Sequence, residues 1–139
     1  MKILFICKGN YYRSQIAEAI YNKLTASHDA TSVGTCVGEW NSPAGKPLSE
    51  LYPRDSVFFK VMESHGMNVR HNKTKKLLPE MLNQYEVVIS MAEKSFCDDF
   101  LKNDKRVIWW DVKDEGGNTL EGVQNKYNEI EKLVRGVLP

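Results

Sequence analysis

A cysteine and an arginine separated by five residues, with a serine directly after the arginine, make up the segment Cys7-Lys8-Gly9-Asn10-Tyr11-Tyr12-Arg13-Ser14. The chemistry these types support together is attack by sulfur on a tetrahedral oxyanion. A loop that runs into a helix turns free N–H groups toward one spot, where the helix dipole also favours an anion. Gly9 and Asn10 are the residue types most willing to take positive φ in such a curl. Arg13 offers a planar fork that matches two oxygens of the anion. The same positive field favours the thiolate of Cys7. A thiolate beneath a cradled phosphoryl group is placed for in-line attack on phosphorus. Ser14 can donate a hydrogen bond to that sulfur and help it leave in a second step. A cysteine ending a buried strand is, in most proteins, simply small and apolar. The arginine, the serine and the placement between a strand and a helix turn the reading toward an anion site. Cys36 and Cys97 lack that context and read as structural.

Transfer of a phosphoryl group to sulfur expels an alkoxide or phenoxide unless a general acid protonates the leaving oxygen. Ligands of open α/β sheets bind beyond the carboxyl ends of the strands. The acid is therefore expected in the loop after a strand at residues 106–110, which carries Asp111, Asp114 and Glu115. Gly116 and Gly117 would let that loop move. Spacing alone does not choose among the three acids.

The elements that must position these groups follow from patterning. Residues 2–7 are an apolar run ending in a glycine-containing turn, which suits a strand buried on both faces of a parallel sheet. Residues 14–26 read as a helix with Ile16, Ile20 and Leu24 on one face. Residues 31–35 are a weaker strand, and 39–53, with three prolines and Gly45, a loop. Residues 55–65 read as a helix with a stripe of Val57, Phe58, Val61 and Met62, stopped by Gly66. Residues 85–91 and 106–110 are further strands, with a short helix at 94–101 between them. Alternation puts Trp109 and Trp110 on opposite faces. Asn118 and Glu121 have capping-box spacing at the start of a last helix, with Leu120, Val123, Tyr127, Ile130, Val134 and Val137 as its apolar positions. This order of elements predicts one α/β domain over residues 1–139, an open parallel sheet with helices on both faces.

Composition narrows the function. Nineteen Lys and Arg stand against eighteen Asp and Glu, a balance that argues against a protein that coats nucleic acid. No apolar run approaches the roughly 18 residues of a membrane span, and the start does not read as a signal peptide. Three scattered cysteines make no disulfide framework and suit a reducing cytoplasm. No Cys/His cluster has zinc spacing, so neither a metal nor another cofactor is expected. The last helix shows no second apolar face, which points to a monomer. The run Lys73-Thr74-Lys75-Lys76 reads as a solvated face.

The Cys7–Ser14 loop, with Gln15-Ile16-Ala17-Glu18-Ala19 after it, resembles the phosphate loop and first helix of the low-molecular-weight protein tyrosine phosphatases, whose fold and loop the arsenate reductases share. The resemblance extends to Ser32-Val33-Gly34-Thr35, to Val88-Ile89-Ser90-Met91 and to Trp110-Asp111-Val112-Lys113-Asp114. It implies a three-layer, flavodoxin-like fold with a four-stranded parallel sheet in the order 2-1-3-4. It implies that Cys7 is the nucleophile and Arg13 the phosphate clamp, with Lys8, Gly9, Asn10, Tyr11, Tyr12 and Ser14 completing the phosphate site. Asn10 and Ser14 would shape the loop and support the thiolate. It selects Asp114 as the acid, and it places His71 near a family histidine that supports the loop. This chain departs from the family in four places. Tyr12 stands for a second cysteine, Glu115 for the proline after the acid, and Ala92 for an aspartate. The aromatic residues that follow the acid in many relatives are absent. Tyr11 and Tyr12 have two readings, lining the mouth or packing on the neighbouring helix. The implied activity is hydrolysis of a phosphorylated protein or small phosphoester through a phosphocysteine. The alternatives are an arsenate reductase using an external thiol, since the chain has only Cys97 where an internal relay needs two cysteines, and a non-catalytic phosphate-binding module.

Overall fold

The computed structural model describes residues 1–39 and 42–139. The apolar run after the first two residues forms β1 (Ile3–Cys7), and all five of its side chains are buried. A strand without polar alternation belongs at the centre of a parallel sheet covered on both faces, and β1 lies there. It pairs in parallel with β2 (Ala30–Gly34) on one side and β3 (Val87–Ser90) on the other, and β4 (Ile108–Trp109) closes the far edge. The strand order is β2-β1-β3-β4, as the family resemblance implies.

The two-residue repeat of β1 divides the interior. Ile3, Phe5 and Cys7 face the larger core, which holds the apolar stripes of α1 (Arg13–Thr25), α3 (Val57–Ser64) and α5 (Leu120–Arg135). Leu4 and Ile6 face a smaller core, with Leu82 from the 3-10 turn Pro79–Asn83 and Leu101 from α4 (Asp99–Lys102). Trp110 packs on the first core and Trp109 on the second, the division that alternation predicts.

Several boundaries differ from the sequence reading. The expected 39–53 loop contains a one-turn helix, α2 (Leu48–Leu51), anchored by the fully buried Leu48. A single turn is too short to leave a periodic signal. Residues 40 and 41 of that expected loop lie outside the described residues. The helix expected at 94–101 is a 3-10 turn, Lys94–Phe96, followed by α4. Cys97 breaks it by turning extended, with its thiol donating to the Glu93 carbonyl at 3.4 Å. The helix expected at 55–65 begins at Val57, capped by Ser56, whose hydroxyl accepts the Phe59 N–H. The cap of α5 is Thr119 rather than Asn118. Its hydroxyl accepts the Gly122 N–H at 3.0 Å, and Glu121 is therefore one position short of a capping box. Leu120 is 56% exposed at that helix start and does not join the core stripe.

Candidate active site

The loop between β1 and α1 folds around the Cys7 sulfur. Asn10 N–H points at Cys7 Sγ from 3.3 Å, and Ser14 Oγ lies 2.9 Å from the same sulfur. Asn10 takes the positive φ, 56°, that the curl requires. Gly9 does not, contrary to the sequence reading. A Cβ there would stand 2.3 Å from a ring carbon of Tyr11, so a larger residue requires that ring to move.

The hydrogen bonds of Asn10 leave the Ser14 proton available to the sulfur. Asn10 Oδ1 accepts the Lys75 N–H at 2.9 Å, so its amide nitrogen faces Ser14 Oγ at 2.8 Å. That nitrogen can only donate. Ser14 Oγ therefore accepts from Asn10, and its own proton can go to the sulfur, which as a thiolate can only accept. Both Asn10 and Ser14 are fully buried, which gives the network one arrangement. The loop is supported from outside by Gln15, which donates to Asn10 O at 3.0 Å and accepts from Asn72 at 3.2 Å. His71, by contrast, is exposed. The support expected of it comes from its neighbour Asn72 and from the Lys75 backbone.

Arg13 is the first residue of α1 and is 1% exposed. Its NH1 lies 2.6 Å from both Met91 O and Glu93 Oε1 and 2.9 Å from Val112 O. Those three acceptors share two hydrogens. They anchor the guanidinium to the carboxyl ends of β3 and β4. Burial opposes the charge of Arg13, but Cys7, Glu93 and Asp114 outweigh it, and the guanidinium is held more firmly protonated than usual. Sequence reasoning did not find Glu93. Its available signal was its place just past the end of a central strand, on the edge where ligands bind.

The loop after β4 brings Asp114 to the site. Its Oδ2 lies 3.8 Å from Arg13 NH2, with the side chain 42% exposed. Asp111 is turned away, 84% exposed and paired with Lys113 at 2.9 Å. Gly116, one of the two glycines expected to free this loop, has a close backbone neighbour. It turns at φ 81° and rests its backbone against Gly122 in the first turn of α5. Beside Asp114 opens a cleft of about 260 Å³, bordered by Tyr11, Tyr12, Tyr52, Glu115 and Gly117. Tyr11 is 38% exposed at this mouth, whereas Tyr12 is buried with its ring edge-on to Phe58 at 5.9 Å. The two readings of the tyrosine pair thus divide between them, although Tyr12 also borders the cleft. Burial, reinforced by Asp114, pushes the Tyr12 hydroxyl up to about 12. The Lys8 ammonium sits over the Phe96 ring, 3.8 Å from its centre.

Cys36 and Cys97 are buried and free. Burial, then the neighbouring Cys36, pushes the Cys97 thiol up to about 11.

Residues 2–135 match the family described as low molecular weight phosphotyrosine protein phosphatase. The protein of that name from Sus scrofa is 28% identical over 103 residues, a match covering 69% of this chain and 58% of the relative. The chain thus spans a little over half the length of the curated relatives it matches. Among solved structures, Wzb from Vibrio vulnificus, in complex with benzylphosphonate, superposes with a TM-score of 0.78 at 20% identity, covering 97% of this chain and 94% of that one. A thioredoxin-dependent arsenate reductase from Corynebacterium glutamicum superposes with a TM-score of 0.69 at 23% identity, covering 98% of this chain and 59% of that one. These two show a shared fold. With residues 2–135 matched, the chain belongs to the low molecular weight phosphotyrosine protein phosphatase family.

Proposed function

We propose that this chain is a cysteine-dependent phosphomonoester hydrolase, acting as one domain through a phosphocysteine intermediate. The observation that carries the reading is the convergence on one sulfur. Cys7 Sγ receives the Asn10 N–H and faces the Ser14 hydroxyl, and Arg13 links that loop to Asp114. The backbone of Lys8, Gly9, Asn10, Tyr11 and Tyr12, together with Arg13 and Ser14, holds the phosphoryl oxygens. The Cys7 thiolate attacks phosphorus, the bond to the leaving oxygen breaks, and Asp114 gives that oxygen its proton. The resulting Asp114 carboxylate then takes a proton from water. The water oxygen attacks phosphorus, the P–S bond breaks, and Ser14 donates to the departing thiolate.

The substrate is a phosphorylated protein or a small phosphoester. The Tyr11 ring at the mouth supports an aromatic leaving group. Arsenate reduction is the second reading, and it needs an external thiol here. Cys97, buried and pushed up to about 11, is a poor relay thiolate. A pure phosphate-binding module would need the amides and Arg13 but neither the thiol nor Asp114. Free thiols suit a reducing cytoplasm, and among the described residues no helix is long and apolar enough to cross a membrane. The stripe of α5 is spent inside the chain, which supports action as a monomer.

Purified protein is expected to hydrolyse an aryl phosphate in the presence of chelator and to be inhibited by vanadate. Cys7→Ser should abolish turnover and still bind phosphate. Undiminished turnover in that variant, or a metal requirement, overturns the proposal. Arsenite production from arsenate with a small thiol or thioredoxin would favour the second reading.

A further inference from the structure

An oxyanion cradle works when its peptide N–H groups point inward. In a trans peptide the N–H and the preceding carbonyl lie on opposite sides of one rigid plane. Holding a carbonyl outward therefore aims the next N–H inward. Five carbonyls of this loop are held by separate donors. Cys7 O accepts from Thr35 N–H at 2.9 Å, Lys8 O from Cys36 N–H at 2.9 Å, and Tyr12 O from Ile16 N–H at 3.0 Å. Asn10 O accepts from Gln15 at 3.0 Å. Tyr11 O accepts from the Tyr52 hydroxyl at 2.5 Å. The peptide held by Tyr52 carries the Tyr12 N–H, the donor next to Arg13.

The Tyr52 ring is fixed independently of that bond. It stacks on Phe58 at 4.7 Å and meets Phe59 and Tyr11 edge-on at 5.4 and 6.2 Å. The turn of α2 delivers it, since Tyr52 caps that helix with its N–H on Leu48 O. Burial, helped by Tyr11, Tyr12, Cys7 and Asp114, pushes the Tyr52 hydroxyl far above the usual phenol range. It therefore stays a donor wherever the protein is folded and active. A donated hydrogen bond also polarises the peptide and strengthens its N–H toward an anion.

We propose that Tyr52 is a positioning residue of the anion cradle, its hydroxyl setting the Tyr11–Tyr12 peptide so that the Tyr12 N–H is aimed at the bound phosphoryl group. This rests on the phosphatase reading above. The hydroxyl carries the effect and the ring provides only the mounting.

Tyr52→Phe removes the hydroxyl and keeps the ring stack, so the variant is expected to fold. Inhibition constants for inorganic phosphate and vanadate should rise about 3- to 10-fold, the size of one net hydrogen bond. The value of kcat/KM for an aryl phosphate should fall by a similar factor. Good and poor leaving groups should be slowed equally, because the acid is untouched. In the 15N spectrum, the shift of the Tyr12 amide on adding phosphate should be smaller than in the unaltered protein. Unchanged oxyanion inhibition in Tyr52→Phe overturns the proposal, whether or not the melting temperature moves, and so does slowing confined to poor leaving groups. If the unaltered protein hydrolyses aryl phosphates and Tyr52→Phe behaves identically, only this proposal fails. If the unaltered protein neither binds phosphate nor turns over, the phosphatase reading fails and takes this one with it.

Discussion

The backbones of Gly116 and Gly122 touch: a Cβ on Gly122 would stand 2.3 Å from the Gly116 carbonyl oxygen. The loop that carries Asp114 is thus seated on the first turn of α5. Gly122→Ala should improve helix propensity by about 1 kcal/mol, yet the new methyl has nowhere to go and must push the loop off. Turnover of alkyl phosphates is expected to fall by about 10- to 100-fold, the scale of a misplacement near 1 Å. Aryl phosphates with good leaving groups should lose less. Equal rates in the variant and the unaltered protein would show that the loop does not depend on this seat.

Asp114 is the acid that faces Arg13, at 3.8 Å, while Asp111 points away. Asp114→Ala should lower kcat/KM for poor leaving groups by about 100-fold or more and for activated ones much less, while kcat falls for both because hydrolysis of the phosphocysteine loses its base. Asp111→Ala should change neither. A linear free-energy plot of rate against leaving-group pKa, steeper in Asp114→Ala, is the measurement that decides.

Ser14 Oγ accepts from Asn10 and can give its own proton to the Cys7 thiolate, 2.9 Å away. Ser14→Ala removes a stabiliser of the departing thiolate, so breakdown of the phosphocysteine should become slow. Rapid mixing with an aryl phosphate should show a burst of phenol equal to the enzyme concentration, then a slow steady state. The loss also leaves the buried Asn10 amide short of a partner, at a cost of about 1–3 kcal/mol in stability.

Burial holds the Glu18 carboxyl above the usual range, although Lys75 and Ser32 pull it down. A raised folded-state pKa means that the favourable contribution exists below the unfolded pKa and is lost as pH rises through the folded one. At neutral pH the ionised Glu18 therefore opposes folding. Glu18→Gln should melt higher than the unaltered protein at pH 7. The gain should shrink as pH falls and vanish once Glu18 is protonated in both states. A lower melting temperature at pH 7 would show that its attraction to Lys75 dominates.

The grouping of Cys7, Arg13 and Ser14 was readable from the chain because they lie within eight consecutive residues. A strand, a curl and a helix start are enough to bring them together. Asp114 needed one further step, the rule that strand ends share an edge, together with the family resemblance to choose among the three acids. The sheet order came only with the family resemblance, whereas the two faces of the tryptophan pair followed from strand alternation alone.

Folding in three dimensions decided what holds the loop in shape. Glu93 on Arg13, Tyr52 on Tyr11 and the Lys75 backbone on Asn10 join segments 80, 41 and 65 residues apart. His71 and Asn72 differ by one step along the chain, yet it is Asn72 that reaches the loop through Gln15. The close approach of Gly116 to Gly122 is likewise invisible in the sequence. Local pattern specifies which residues can perform the chemistry. Which of several polar neighbours turns inward to brace them depends on the packing of remote elements, and that information is spread over the whole chain.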